Sequence, residues 1–158
     1  MAIMSTTLKL IHIGAAIIFP GNIITSLFWH AHAVHARNPK LIAHAMSGII
    51  RGDRWFTIPA VTMRVTVGIV MAVMGKMPLL RTGWIMWSLV ALRVSGIVFA
   101  WRVAPLQRAP LNMAQADEAG AFSDRQYQAL ARRWEFWGAA ALLTAIAALV
   151  LMGIKPAL

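Results

Sequence analysis

Four apolar runs dominate this chain, and each is long enough to cross a bilayer. Leu8 to Trp29, Trp55 to Gly75, Trp84 to Ala104 and Trp134 to Gly153 each approach the ~20 residues a helix needs to span ~30 Å of hydrocarbon. None carries more than one charge in its interior. Of the 158 residues 59% are apolar and 13% are charged, about half the charged fraction of an ordinary soluble domain. The first run is too long for the apolar core of a signal peptide, and it contains His12 and Asn22, so it reads as a span. The expected fold is therefore an all-α membrane protein, a single domain over residues 1–158. It is an antiparallel four-transmembrane-helix bundle, with spans at about 8–29, 55–75, 84–104 and 130–153.

The net charge of +10 invites a nucleic-acid reading, but its placement argues against one. Arg37, Lys40, Arg51, Arg54, Arg102, Arg108, Arg125, Arg132 and Arg133 fall on one side of the spans, against Lys9, Lys76, Arg81 and Lys155 on the other, nine to four. That bias fits the positive-inside rule, with both termini periplasmic and the longer connections cytoplasmic in a bacterial inner membrane. All five acids lie on the same side as the basic surplus. The surplus thus reads as topology and headgroup contact, with the lipid bilayer as partner and no nucleic acid. With no cysteine, thiolate metal sites and disulfides are excluded.

Between spans one and two, Asn38-Pro39 has the form of a helix start. Leu41, Ile42, Ala45, Met46, Ile49 and Ile50 then make one apolar stripe, and Gly52 stands where the helix should stop, which predicts a short interfacial helix at about 39–51. Lys76-Met77-Pro78 reads as a tight turn that makes spans two and three antiparallel neighbours. Pro105 to Gly120 reads as a polar loop, and Ser123-Asp124-Arg125-Gln126 as a capping box opening the last helix. Tryptophans 29, 55, 84, 101, 134 and 137 fall near span ends, as an aromatic belt does. Pro20-Gly21-Asn22 should kink span one.

Arg64 and Arg93 are the most informative residues. Each lies near the middle of its span, where a charge costs about 2.5–3.5 kcal/mol on the insertion scale. No acid lies in the apolar part of any span. Two cations without counter-ions point to an anionic guest: carboxylates of a haem or porphyrin, a lipid phosphate, or a quinone-like acceptor. The alternative is that both bond helix carbonyls and hold the bundle. Arg64 shares its face with Thr57, Gly68, Met71 and Gly75, a small and polar stripe suited to protein or a cavity. His12 lies one turn inside span one, and His30, eighteen residues later, returns to the same face. An inward imidazole can ligate haem iron, and Gly14, Gly21 and Gly68 would let a flat ring approach the backbone. Asn22 beside the kink would add a polar contact. His12 has no second histidine at its depth, so a Met (Met71, Met74, Met86 or Met152) or a second subunit would complete the iron. His30, His32 and His35 crowd the other end of span one, where His32 and His35 face alike and could hold a transition metal.

Several motifs also carry a resemblance. Leu8-Lys9-Leu10-Ile11-His12 with Gly21-Asn22, Asp53-Arg54-Trp55-Phe56-Thr57-Ile58-Pro59, Pro105-Leu106-Gln107-Arg108, Arg132-Arg133-Trp134 and Lys155-Pro156 resemble, in order and over the whole chain, the bacterial integral-membrane family called domain of unknown function 2269. That resemblance implies four spans and no particular activity. A more distant similarity, through Leu-His in span one and the closing Lys-Pro, is to HemJ-type protoporphyrinogen oxidases, in which the first-span histidine is implicated in haem binding. It would fall on His12. Those enzymes also use a lysine shortly after a third-span tryptophan, whereas here Trp84 is followed by Ile85, Met86, Trp87 and Ser88. A weaker similarity is to CopD-like copper-resistance membrane proteins.

Three functions follow as expectations. The first is a membrane haem b protein, transferring electrons or acting on a tetrapyrrole, with His12 as axial ligand, Arg64 and Arg93 on the carboxylates, and a homo-oligomeric or redox-complex assembly. The second is a non-catalytic assembly or anchor subunit. The third is a copper- or zinc-handling protein using the histidine-rich end of span one. No catalytic residue is identified by the sequence.

Overall fold

The computed structural model describes residues 2–78, 81–115 and 124–156. Helix α1 (Ala2–His35) is followed by α2 (Pro39–Gly52), a π-helical turn (Asp53–Thr57) and α3 (Ile58–Met74). Helix α4 (Gly83–Val98), a second π turn (Phe99–Val103) and α5 (Ala104–Gln115) come next, and α6 (Asp124–Ile154) closes the bundle. Four helical stretches, Thr6–His35, Pro39–Met74, Gly83–Gln115 and Arg125–Ile154, are long and apolar enough to cross a membrane. The protein is an integral, multi-pass membrane protein of helices.

Two expectations about connections are corrected. Gly52 does not end the interfacial helix. Its backbone stays right-handed helical, and the π turn carries α2 straight into α3. Nor is the stretch from Pro105 a loop, because α5 continues α4 through the second π turn as far as Gln115. At Gly52 the glycine suggested a stop, and after span three the polarity of the stretch was taken for irregular backbone. A π turn inserts an extra residue and re-aims the side chains after it while the ladder persists. Residues 116–120 of that stretch, and Ser123 of the capping box, lie outside the described residues.

Local signals fare better where a backbone group must be capped. After α1, Arg37 takes a left-handed conformation (φ 50°), and the Asn38 side chain accepts from the Lys40 N–H at 3.0 Å, with Pro39 at the first helical position. After α3, Lys76 (φ 52°) donates to the Val73 carbonyl while Met77 N–H reaches Ala72 at 2.9 Å, a Schellman closure built without glycine. Lys76→Gly should therefore raise the melting point in detergent, by about 0.5–1 kcal/mol of stability, because glycine enters this region without a Cβ clash. Helix α1 runs unbroken through Pro20, whose lost donor is tolerated within a bundle.

Helix α1 packs between α3 and α6, α6 packs on α4, and α2 packs on α5. The α4–α6 seam is made of small residues: Ser88, Leu92 and Ser95 on one side, Ala141, Ala145 and Ala148 on the other, all buried. Ser95 Oγ donates to the Ala141 carbonyl at 2.7 Å. Without a hydrophobic drive between helices in lipid, such close approach and interhelical bonding are what hold spans together. Helices α3 and α4, consecutive in the chain and expected to be packed neighbours, scarcely touch. Each is held by a different helix, and a cleft opens between them.

Candidate functional site

The cleft between α3 and α4 encloses about 370 Å³ at the end of the bundle that carries the chain termini. Helix α1 contributes Lys9 and His12, α6 contributes Met152, and Lys155 follows just beyond α6. The walls are Arg64, Val65, Gly68, Ile69, Met71 and Ala72 of α3, and Trp84, Ile85, Leu89 and Leu92 of α4. Ile69 lines the cleft and is also exposed on the outer surface, so the space communicates sideways with the lipid as well as with the bundle end.

Arg64 is fully buried, 1% exposed. Its Nε, Nη1 and Nη2 are buried and have no hydrogen-bond partner among the described residues. The Nδ1 of His12 is likewise buried and makes no well-formed hydrogen bond among the described residues, although the Arg64 backbone carbonyl lies close to the ring. The two belong to one place. The His12 ring lies against Gly68, one helical turn beyond Arg64; a Cβ at that glycine would stand 3.0 Å from His12 Cε1 and 3.4 Å from Nδ1. Toward the mouth, Lys9 and Lys155 add two more cations, and the Lys155 ammonium lies over the Trp84 ring at 5.6 Å. None of the cleft-lining residues is acidic. A buried unpaired donor costs about 1–3 kcal/mol, more when it is charged, and a guanidinium so placed can accept an anion.

The chemistry available is therefore specific in kind. A guanidinium presents a planar fork that matches a carboxylate or phosphate edge. An imidazole one turn away can donate to such a group or give a lone pair to a metal. Around them the walls are apolar, with three thioethers (Met71, Met77, Met152) among them, so the cleft can accept a molecule with a greasy body and an acidic end.

Of the residues singled out from sequence, the structure gathers His12, Arg64, Gly68, Met71 and Met152 and disperses the rest. Arg93 is exposed on α4 and does not line the cleft; the middle of a span is not the same as its inner face. Gly14 lines a shallow groove with Trp55 and Met63, and neither Gly14 nor Gly21 has an atom of a neighbouring element within 4 Å of a built Cβ. They give no clearance over His12. Asn22 is engaged elsewhere, donating to Asp53 Oδ1 at 3.0 Å and to Thr57 Oγ1 at 2.9 Å. His30 is fully buried between Glu135 (Nδ1 to Oε1, 2.9 Å) and the Tyr127 hydroxyl (2.8 Å from Nε2), with Trp134 edge-on at 4.9 Å. Trp134 is thus in the core and not in the aromatic belt. His32 and His35 are exposed, and among the described residues no three potential metal ligands come together.

Sequence reasoning did not place Lys9, Trp84 and Lys155 at the site, because each reads as a span-end residue. The signal for them was their common depth, one helix end apiece at the same side of the bundle. Gly68→Ala tests the His12 contact. The ring must move by a few tenths of an ångström, and the expected result is a several-fold loss of ligand affinity with little change in melting point, read by titration and thermal unfolding.

A family model described as a predicted integral membrane protein, domain of unknown function 2269 (DUF2269), matches residues 6–156. No curated protein and no solved structure matches the chain.

Proposed function

We propose, for a chain that belongs to the DUF2269 family of predicted integral membrane proteins, that the α3–α4 cleft binds an acid-bearing, otherwise apolar molecule, and that haem b is the member of that class its donors suit best. One observation supports the reading: a fully buried guanidinium whose three nitrogens lack partners among the described residues, sharing a cleft with the His12 imidazole. Arg64, with Lys9 and Lys155 nearer the mouth, would take the carboxylates. His12, with Met71 or Met152 of the same cleft, would hold the iron, in which case a second subunit need not supply a ligand. When bound, haem iron offers one-electron redox chemistry. The chain's own part is to hold the acid groups, keep water out with Leu89, Leu92 and Ile85, and admit the molecule through the gap between α3 and α4.

Two further points belong to the same proposal. The basic excess at the α1–α2 end favours a cytoplasmic-membrane topology with the cleft on the periplasmic side. A redox role would require a partner to donate or accept the electron, and so a place in a membrane complex. The reading as a plain anchor subunit is less favoured, since an anchor gains nothing from an unpaired charge at the centre of its bundle.

The test is an absorption spectrum of detergent-purified protein together with acid extraction of haem. The expected result is a Soret band that disappears in His12→Ala. A colourless protein whose organic extract contains no stoichiometric acid-bearing molecule overturns the proposal. A colourless protein with such a molecule removes haem and keeps the anion site.

A further inference from the structure

A second and larger cavity lies at the opposite end of the bundle, between α1 and α2, and encloses about 650 Å³. It is built from two facing stripes. Helix α1 contributes Asn22, Thr25, Ser26, Trp29, His32, Ala33 and Ala36; α2 and the π turn answer with Leu41, His44, Ala45, Gly48, Ile49, Gly52 and Phe56. The helices meet at the turn after His35 and again where Gly52 stands 3.2 Å, as a built Cβ, from Asn22 Oδ1. Between those two points they are held apart, with small residues lining the floor.

We propose that this groove is a binding site for an anionic phospholipid, one acyl chain lying between the stripes and the phosphate at the rim near His32 and His44. Trp29, Leu41 and Phe56 are exposed at its edges and continue the apolar surface into the membrane. The His32 ring is held by Phe28 (stacked, 6.4 Å) and Trp29 (edge-on, 5.8 Å), which fixes a ring N–H donor at the mouth. Charge selects the occupant. Arg37, Lys40, Arg51 and Arg54 are exposed along this hairpin. Its single acid, Asp53, is buried and accepts from Asn22, Thr57 and Gln107. Juxtamembrane cations of this kind attract anionic headgroups by about 1 kcal/mol each, so a lipid with net negative charge is preferred over a zwitterionic one with the same tails. This site is separate from the α3–α4 cleft and does not depend on what that cleft holds.

The test reads retained lipid by native mass spectrometry after delipidation, with phosphatidylglycerol or phosphatidylcholine of identical acyl chains added back. The expected result is one phosphatidylglycerol per chain, held at least tenfold more tightly than phosphatidylcholine. Gly48→Leu, at a glycine where an added Cβ meets nothing within 4 Å, should fill the groove and abolish retention. Lys40→Gln with Arg51→Gln, both exposed, should leave the protein folded and bring the preference close to one. Equal retention of both lipids by the unmodified protein overturns the proposal. So does undiminished retention by a folded Gly48→Leu protein, or a preference unchanged in the double variant. Arg64→Leu should leave this lipid in place, which keeps the two sites distinguishable.

Discussion

Replacing Arg64 with leucine should make the ligand-free protein more stable and at the same time abolish binding in the α3–α4 cleft. The two effects have opposite signs for one physical reason. The guanidinium is 1% exposed and its nitrogens have no hydrogen-bond partner among the described residues. A cation at span centre costs about 2.5–3.5 kcal/mol on the insertion scale, and leucine removes that cost while keeping an apolar stem against Val65 and Leu92. Once an anion is bound, the same charge becomes half of a desolvated pair. Truncating one partner of such a pair costs about 2–5 kcal/mol, a loss of roughly 30- to 5000-fold in affinity. Thermal unfolding of delipidated protein and a binding titration read the two halves separately. A structural arginine bonded to helix carbonyls would behave otherwise, with Arg64→Leu lowering the melting point. Arg64→Lys keeps the charge but loses the planar fork, and its affinity should fall between those of the two proteins.

The second large effect is at Asp53, and it concerns folding alone. Its carboxylate is buried and accepts from Asn22 of α1 (3.0 Å), from Thr57 (2.8 Å) and from Gln107 of α5. The two π turns bring these groups together, one by turning Asp53 and Thr57 inward, the other by setting Gln107 opposite them. Asp53→Ala leaves three donors inside the bundle, and each unmet buried donor costs about 1–3 kcal/mol. Allowing for some relaxation, destabilisation of about 3–5 kcal/mol is expected, the range seen when a buried partner is removed. Asp53→Asn should cost less. Its amide oxygen still accepts, and Gln107 can rotate its own amide to present oxygen to the new NH₂ group. Chemical unfolding in mixed micelles orders the three proteins: native, then Asn, then Ala.

The spans were legible in the sequence because hydrocarbon is an unforgiving solvent: twenty apolar residues leave little choice but a membrane helix. Arg64 and His12 were legible for the same reason, since a polar group in oil needs an explanation. What misled was the assumption that depth implies direction. Arg93 sits as deep along its helix as Arg64 but faces out of the bundle, and no hydropathy pattern distinguishes the two when both helices are apolar all round. Gly14 and Gly21 were read by spacing as ring clearance, although glycine spacing alone serves helix packing equally well.

The pairing of helices was also hidden. The tight turn read at Lys76-Met77-Pro78 suggests neighbours in contact, yet α3 finds a better surface on α1 and α4 a better one on the small residues of α6. The polar node at Asp53 went unread because the π turns that assemble it have no simple sequence signature. Asp53 was placed in the aqueous region simply because it is charged. Asn38 and Pro39, by contrast, act where a local rule suffices, and the helix begins where they say.

The most direct measurement of the central claim is a density map of the purified protein at a resolution that shows side chains and bound small molecules. The account requires a bound molecule between α3 and α4 with an acidic group within hydrogen-bond distance of the Arg64 guanidinium and part of its body against His12. A map in which that guanidinium bonds only to backbone oxygens or water, with α3 closed on α4, contradicts it.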